Sequence, residues 1–212
     1  MEVHPPEHGI HSWRDFLVHM GTITLGLVIA LGFEAAAEAL HHHHQLLEAR
    51  ERIHAEIDEN RKTIAHDHAF LQKSAAAMRA NITLLDAAGP LDSSQLSFGW
   101  QWDGTESSAW QTAQATGALA LMPYSEVQEF SGIYAQQGSV TEAAKDYIHA
   151  QEMLLQPLLR HGDLQSHGHF ASVQLTLDER RILATGCTDS IAQINLLQDL
   201  SNSLDKLYAD GK

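Results

Sequence analysis

Residues 16–33 read FLVHMGTITLGLVIALGF. The run holds no Lys, Arg, Asp or Glu. Eighteen helical residues at about 1.5 Å each span about 27 Å, close to the hydrocarbon thickness of a bilayer. A buried helix of a soluble protein would keep a polar face, and polar residues are too sparse here to make one. The segment therefore reads as a transmembrane helix, of modest hydrophobicity because His19, Thr22, Thr24, Gly21, Gly26 and Gly32 interrupt it. A cleaved signal peptide is the competing reading, since Ala35, Ala36 and Ala37 offer small residues at suitable spacing. Against cleavage, Arg14 alone faces Glu2, Glu7 and Asp15 where a basic cluster is wanted. The apolar stretch also exceeds the usual ~7–15 residues, and no helix breaker follows it. An uncleaved signal anchor fits these features better.

The flanks give an orientation. Arg14 lies just before the run, whereas the first basic residues beyond it are Arg50 and Arg52. Lys and Arg near the membrane favour the inner side, so the amino terminus is expected inside and residues 35–212 outside. For an inner (cytoplasmic) membrane protein that side is the periplasm. Trp13 is placed as an interfacial anchor. The expected organisation is a disordered tail at 1–11, which contains Pro5 and Pro6, an anchor helix at 12–40 and a helical soluble domain at 41–212.

Charge narrows the partners. Beyond Glu34 the chain carries 12 Lys and Arg against 23 Asp and Glu. That excess argues against nucleic acid, whose phosphates need cations, and against adhesion to anionic headgroups. The partners expected are the lipid bilayer and a second copy or another membrane protein. Cys187 is the single cysteine, so no intramolecular disulfide forms.

No Pro occurs from Ser12 until Pro90, and every Gly before Gly89 in that span lies inside the membrane run. One helix, or two nearly continuous ones, is expected from about Ser12 to Ala87. Its soluble half carries an apolar stripe of Ile53, Ile57, Ile64, Leu71, Ala75, Met78, Ile82 and Leu85. A strict heptad puts Asn60, Asp67, Ser74 and Asn81 on one seam, which argues against a long two-stranded coiled coil and for a stripe packed on other helices. Residues 88–104 break the pattern. Leu96, Phe98, Trp100 and Trp102 alternate with polar or small residues, the signature of a short strand, and a second alternation at 171–175 is a candidate partner.

The remainder is helical by pattern. A helix is expected over 106–122, with Trp110, Ala113, Gly117 and Leu121 on one face, ending at Pro123. Ser125 with Gln128 and Ser139 with Glu142 read as capping boxes for two more helices, the first stopping at Gly138. Pro157 should kink or shorten the second. Residues 161–170 read as loop, and Thr176 with Glu179 opens a last helix to about Ala209. Its stripe is Leu183, Cys187, Ile191, Ile194, Leu197, Leu204 and Leu207.

The fold class expected is mainly α: a transmembrane helix continuing into a long amphipathic helix, packed with several shorter helices as a bundle, with room for one short two-stranded β element.

No catalytic constellation, cofactor motif or metal site is expected. There is no G-x-S-x-G, H-E-x-x-H, P-loop or dinucleotide fingerprint. His41 to His44 spray around a helix, and His66, Asp67 and His68 diverge on one. His161, His167 and His169 share a loop without a Cys or a spaced carboxylate. Carboxylates such as Glu126, Glu129, Glu142 and Asp146 read as solvated helix faces. Two features stand out instead. His19, Thr22, Gly26 and Ala30 fall on one face of the membrane helix, where small residues let backbones approach and polar groups bond across. Phe98, Trp100 and Trp102 could offer aromatic faces to a flat ligand.

The segments HSWRDFLVHMGTITLGLVIALGFEAAAEALHHHH and ARERIHAEIDENRKTI carry a resemblance. They are similar to an uncharacterised family of bacterial single-pass membrane proteins with an H-x-W-[RK]-D-F start and a G-L-x-I-A-L-G-x-E membrane stretch. A His-rich exit and an A-R-x-x-I-x-x-E-I-x-x-N-R helix follow. Here these are His11–Phe16, Gly26–Glu34, His41–His44 and Ala49–Arg61. About the first 65 residues match well, and TESSAWQTAQATGALALMPYSEVQ matches more loosely. The resemblance implies topology and supplies no catalytic residue. The expected function is therefore non-enzymatic: a membrane-anchored scaffold or accessory subunit acting through protein contacts. The alternative is an envelope ligand-binding or sensor-like domain using residues 96–102.

Overall fold

The structure, a computed structural model, describes residues 12–99, 101–160 and 173–210. Four helices follow in order: α1 (Trp13–Asp86), α2 (Ser108–Ala115), α3 (Tyr124–Leu159) and α4 (Leu177–Asp210). Short 3-10 turns occupy Ser93–Gln95 and Ala118–Leu121. The chain divides into two units, Met1–Glu48 and Ala49–Lys212, and α1 contributes to both.

The described part of the first unit is helix. Ser12 caps it, its hydroxyl accepting the Arg14 N–H at 3.2 Å. Trp13 stacks on Phe16. From Leu17 to Phe33 the large apolar side chains are exposed on every side. The segment is long and apolar enough to cross a membrane.

The second unit is a helical bundle, and its three long helices share one rhythm. The buried residues of α1 include Ile53, Ile57, Asn60, Ile64, Asp67, Leu71, Ser74, Met78, Asn81 and Leu85, spaced alternately four and three apart. On α3 the series Phe130, Ile133, Gln137, Val140, Ala144, Tyr147, Gln151, Leu154 and Leu158 does the same. On α4 it runs Arg180, Leu183, Cys187, Ser190, Ile194, Leu197, Ser201, Leu204 and Tyr208. This is the heptad of intertwined helices, here satisfied within one chain. α3 and α4 approach most closely. Gly186 permits this, because a Cβ there would lie 2.6 Å from Leu154 Cδ1.

Several sequence expectations need correction. Gly138 does not end a helix. α3 runs through it, and Ser139 donates back to the Ala135 carbonyl instead of capping. A helical glycine costs only about 1 kcal/mol, which the packing of Val140, Ala144 and Tyr147 outweighs. The Ser125 box is also absent: Pro123 sits at the N-cap and Gln128 bonds Tyr124 Oη. The 106–122 helix is cut short at Ala115, because Gly117 takes a left-handed turn (φ 75°) before the 3-10 turn. Pro157 lies within the last turn of α3, which ends two residues on. The Thr176–Glu179 capping box forms in full. Glu179 Oε2 accepts the Thr176 N–H at 2.8 Å, and Thr176 Oγ1 accepts the Glu179 N–H at 3.3 Å.

The β element is displaced and reduced. Among the described residues there is one antiparallel bridge, between Asp92 and Gln174. It is flanked by Ser93 N–H to Val173 O (2.9 Å) and Leu175 N–H to Leu91 O (3.1 Å). The described residues of 96–102 take no part in it.

Candidate functional site

What residues 96–102 do instead follows from the polar seam on α1. Asn60, Asp67, Ser74 and Asn81 are all buried. Each bonds backbone groups within residues 97–99 or 101–106, a segment we call the strap. Asn81 grips one residue twice, accepting the Ser97 N–H at 3.0 Å and donating to the Ser97 carbonyl at 2.8 Å. Ser74 Oγ donates to Gly99 O at 3.1 Å. The two oxygens of Asp67 accept the N–H groups of Asp103 (3.1 Å) and Gly104 (3.3 Å). Asn60 repeats the double grip on Glu106, both bonds 2.8 Å. The strap thus runs antiparallel to α1, read by side chains seven apart.

From Asn81 to Asn60, α1 covers about 31 Å. The strap positions held over that length are Ser97, Gly99, Asp103 and Glu106, so seven-residue steps on α1 meet strap steps of two, four and three residues. The bundle interior completes the seam: Ser74 also bonds Tyr147 Oη at 3.1 Å, and Tyr208 Oη accepts from the Gln137 amide at 2.5 Å. Burial pushes the Tyr208 hydroxyl up to about 12 and the Cys187 thiol up to about 11, so both stay protonated near neutrality. Burial also raises Asp67, outweighing the two backbone donors that favour its charged form.

Charged residues close two helix ends from outside. Glu56 of α1 accepts the Ala109 N–H (2.8 Å) and the Ser108 hydroxyl (2.9 Å), placing an anion at the start of α2. Its other oxygen takes a bond from Tyr134 Oη at 2.6 Å. Arg180 of α4, buried, donates to the carbonyls of Leu85, Ala87 and Gly89 and satisfies the end of α1. Glu126, read as a solvated face, holds Arg50 bidentately at 2.5 Å.

The aromatic platform is placed otherwise than its pattern implies. Phe98 is 7 % exposed and packs in the core with Met78, Leu85 and Leu155, so it presents no open ring face. Trp102 is half-buried. Trp100 lies outside the described residues, as do His161, His167 and His169. His41, His43 and His44 are exposed and His42 lies 4.0 Å from Glu38. A groove of about 580 Å³ between α1 and α4 is lined by Asp58, Arg61, Lys62, His68 and Asp205. Its cations are already paired, Arg61 with Asp205 and Lys62 with Glu59.

His19, Thr22, Gly26 and Ala30 are exposed on one side of α1. Thr22 Oγ1 donates to Val18 O at 2.9 Å, so its hydroxyl is satisfied within the helix. A Cβ added at Gly21, Gly26 or Gly32 would meet nothing within 4 Å.

The strap seam escaped the sequence reading, although its signal was present in the seven-residue spacing of Asn60, Asp67, Ser74 and Asn81. Comparison with known proteins adds no relative: no family model matches the chain, and no curated protein or solved structure matches it.

Proposed function

We propose that this is a non-enzymatic, single-pass membrane protein of the bacterial cell envelope. In this reading residues 16–33 are a retained signal anchor in the inner membrane, and the bundle projects into the periplasm. It works through protein contacts, as a scaffold or accessory subunit, and the face made by His19, Thr22, Gly26 and Ala30 meets a second copy or another membrane protein. One observation carries the reading. The glycines of the span have no packing partner among the described residues, yet each costs a helix about 1 kcal/mol relative to Ala. Close approach of another helix supplies the missing return, and His19 then gains a partner in place of lipid. The ligand-platform alternative loses support from the burial of Phe98.

Gly26→Ile tests this. The variant should insert normally but lose crosslinking or co-purification from intact membranes; unchanged association overturns the proposal. A reporter fused after Lys212 should be active only outside the cytosol, and cytosolic activity reverses the topology.

A further inference from the structure

Three metal-ligating side chains meet where α1 passes the strap. His66 and Asp67 come from α1 and Asp103 from the strap, with one donor atom of each within 4.8 Å of the others. His66 Nδ1 and Asp103 Oδ2 are 3.0 Å apart. Two ligands with bonds of about 2.1 Å at a right angle have that separation. Asp67 is inaccessible to solvent, and its two backbone bonds use about half of its carboxylate lone pairs. Asp103 repels its charge and His66 offsets that. Two adjacent carboxylates, one of them buried, thus meet beside one imidazole.

The geometry points to a divalent transition-metal site formed by His66, Asp67 and Asp103, which pins the strap to α1. An imidazole with two carboxylates suits Zn²⁺, Mn²⁺ or Fe²⁺ better than Ca²⁺ or Mg²⁺, which prefer oxygen alone. Water fills the remaining positions. His66 and Asp103 are both exposed, so they can close on an ion without disturbing the core. The helix pair His66-Asp67 is incomplete by itself. The strap supplies the third ligand from 36 positions along the chain, which helical spacing does not reveal.

The test uses the full chain in detergent micelles, stripped with a chelator and titrated with Zn²⁺, while backbone amide exchange is followed by mass spectrometry. Zn²⁺ also binds exposed histidines such as His41–His44, so the readout is local to the strap. At a metal concentration 100 times Kd, exchange over residues 101–106 should slow by about 100-fold. Asp103→Asn and His66→Ala should abolish the slowing. Alanine at all four of His41–His44 should leave it intact. Strap amides that ignore Zn²⁺, or slowing that persists in Asp103→Asn, overturn the site.

Discussion

At the scale of single residues, the seam on α1 places four buried polar side chains, Asn60, Asp67, Ser74 and Asn81, against backbone groups of the strap. Asn60 and Asn81 each hold one residue by both its backbone N–H and its carbonyl. Alanine at either leaves partly buried backbone groups unpaired, and unfolding free energy should fall by about 1–3 kcal/mol in chemical denaturation. Asp67 adds a pH dependence. Its folded pKa is raised above the ordinary 3.8 by burial. The stability it contributes is therefore present below about 3.8 and lost as the pH rises through the folded value. With chelator present, the stability of the natural protein relative to Asp67→Asn should decline as the pH climbs through that window, and urea midpoints measured against pH check this. Arg180→Ala should destabilise by about 2–3 kcal/mol, because it strips a charged donor from the carbonyls ending α1. None of these roles is written in residue type alone. Asn60 and Asp67 look like defects in a stripe until the segment they hold is in view.

At the scale of elements, helical periodicity was legible and helix ends were not. The stripe from Ile53 to Leu85 packs as expected; on α4 Leu183, Cys187, Ile194, Leu197 and Leu204 are buried as expected, but Leu207 is 39 % exposed and Tyr208 takes the buried place. The Thr176–Glu179 cap also forms where its motif stands. Gly138 misled because punctuation by glycine is weak beside a continuous buried stripe. The position is exposed, and an added Cβ meets nothing within 4 Å. Gly138→Ala should therefore stabilise the bundle by up to about 1 kcal/mol, seen as a raised Tm. Gly186→Val should do the reverse, since its branches would enter the space held by Leu154. The aromatic alternation at 96–102 has the period of a strand, yet its described residues lie in no strand. Sequence could not tell that its hydrogen bonds go to side chains of a helix rather than to a second strand.

At the scale of the whole molecule, the split between an apolar, fully exposed span and an acidic bundle was readable from composition and charge. The reading of α1 as one long helix holds from Trp13 to Asp86. The strap was not readable, because its contacts join positions far apart in the chain. A feature of that strap carries a further consequence. A helix that grips peptide groups is blind to the side chains they carry, so the two partners differ in tolerance to mutation. In a saturation scan, Gln101 and Thr105 should accept almost any residue. Ser97 and Glu106 should reject proline chiefly, because each must donate an N–H. Asn60 and Asn81 should reject nearly everything. At Ser97 and Glu106 the information that fixes the crossing is stored on α1.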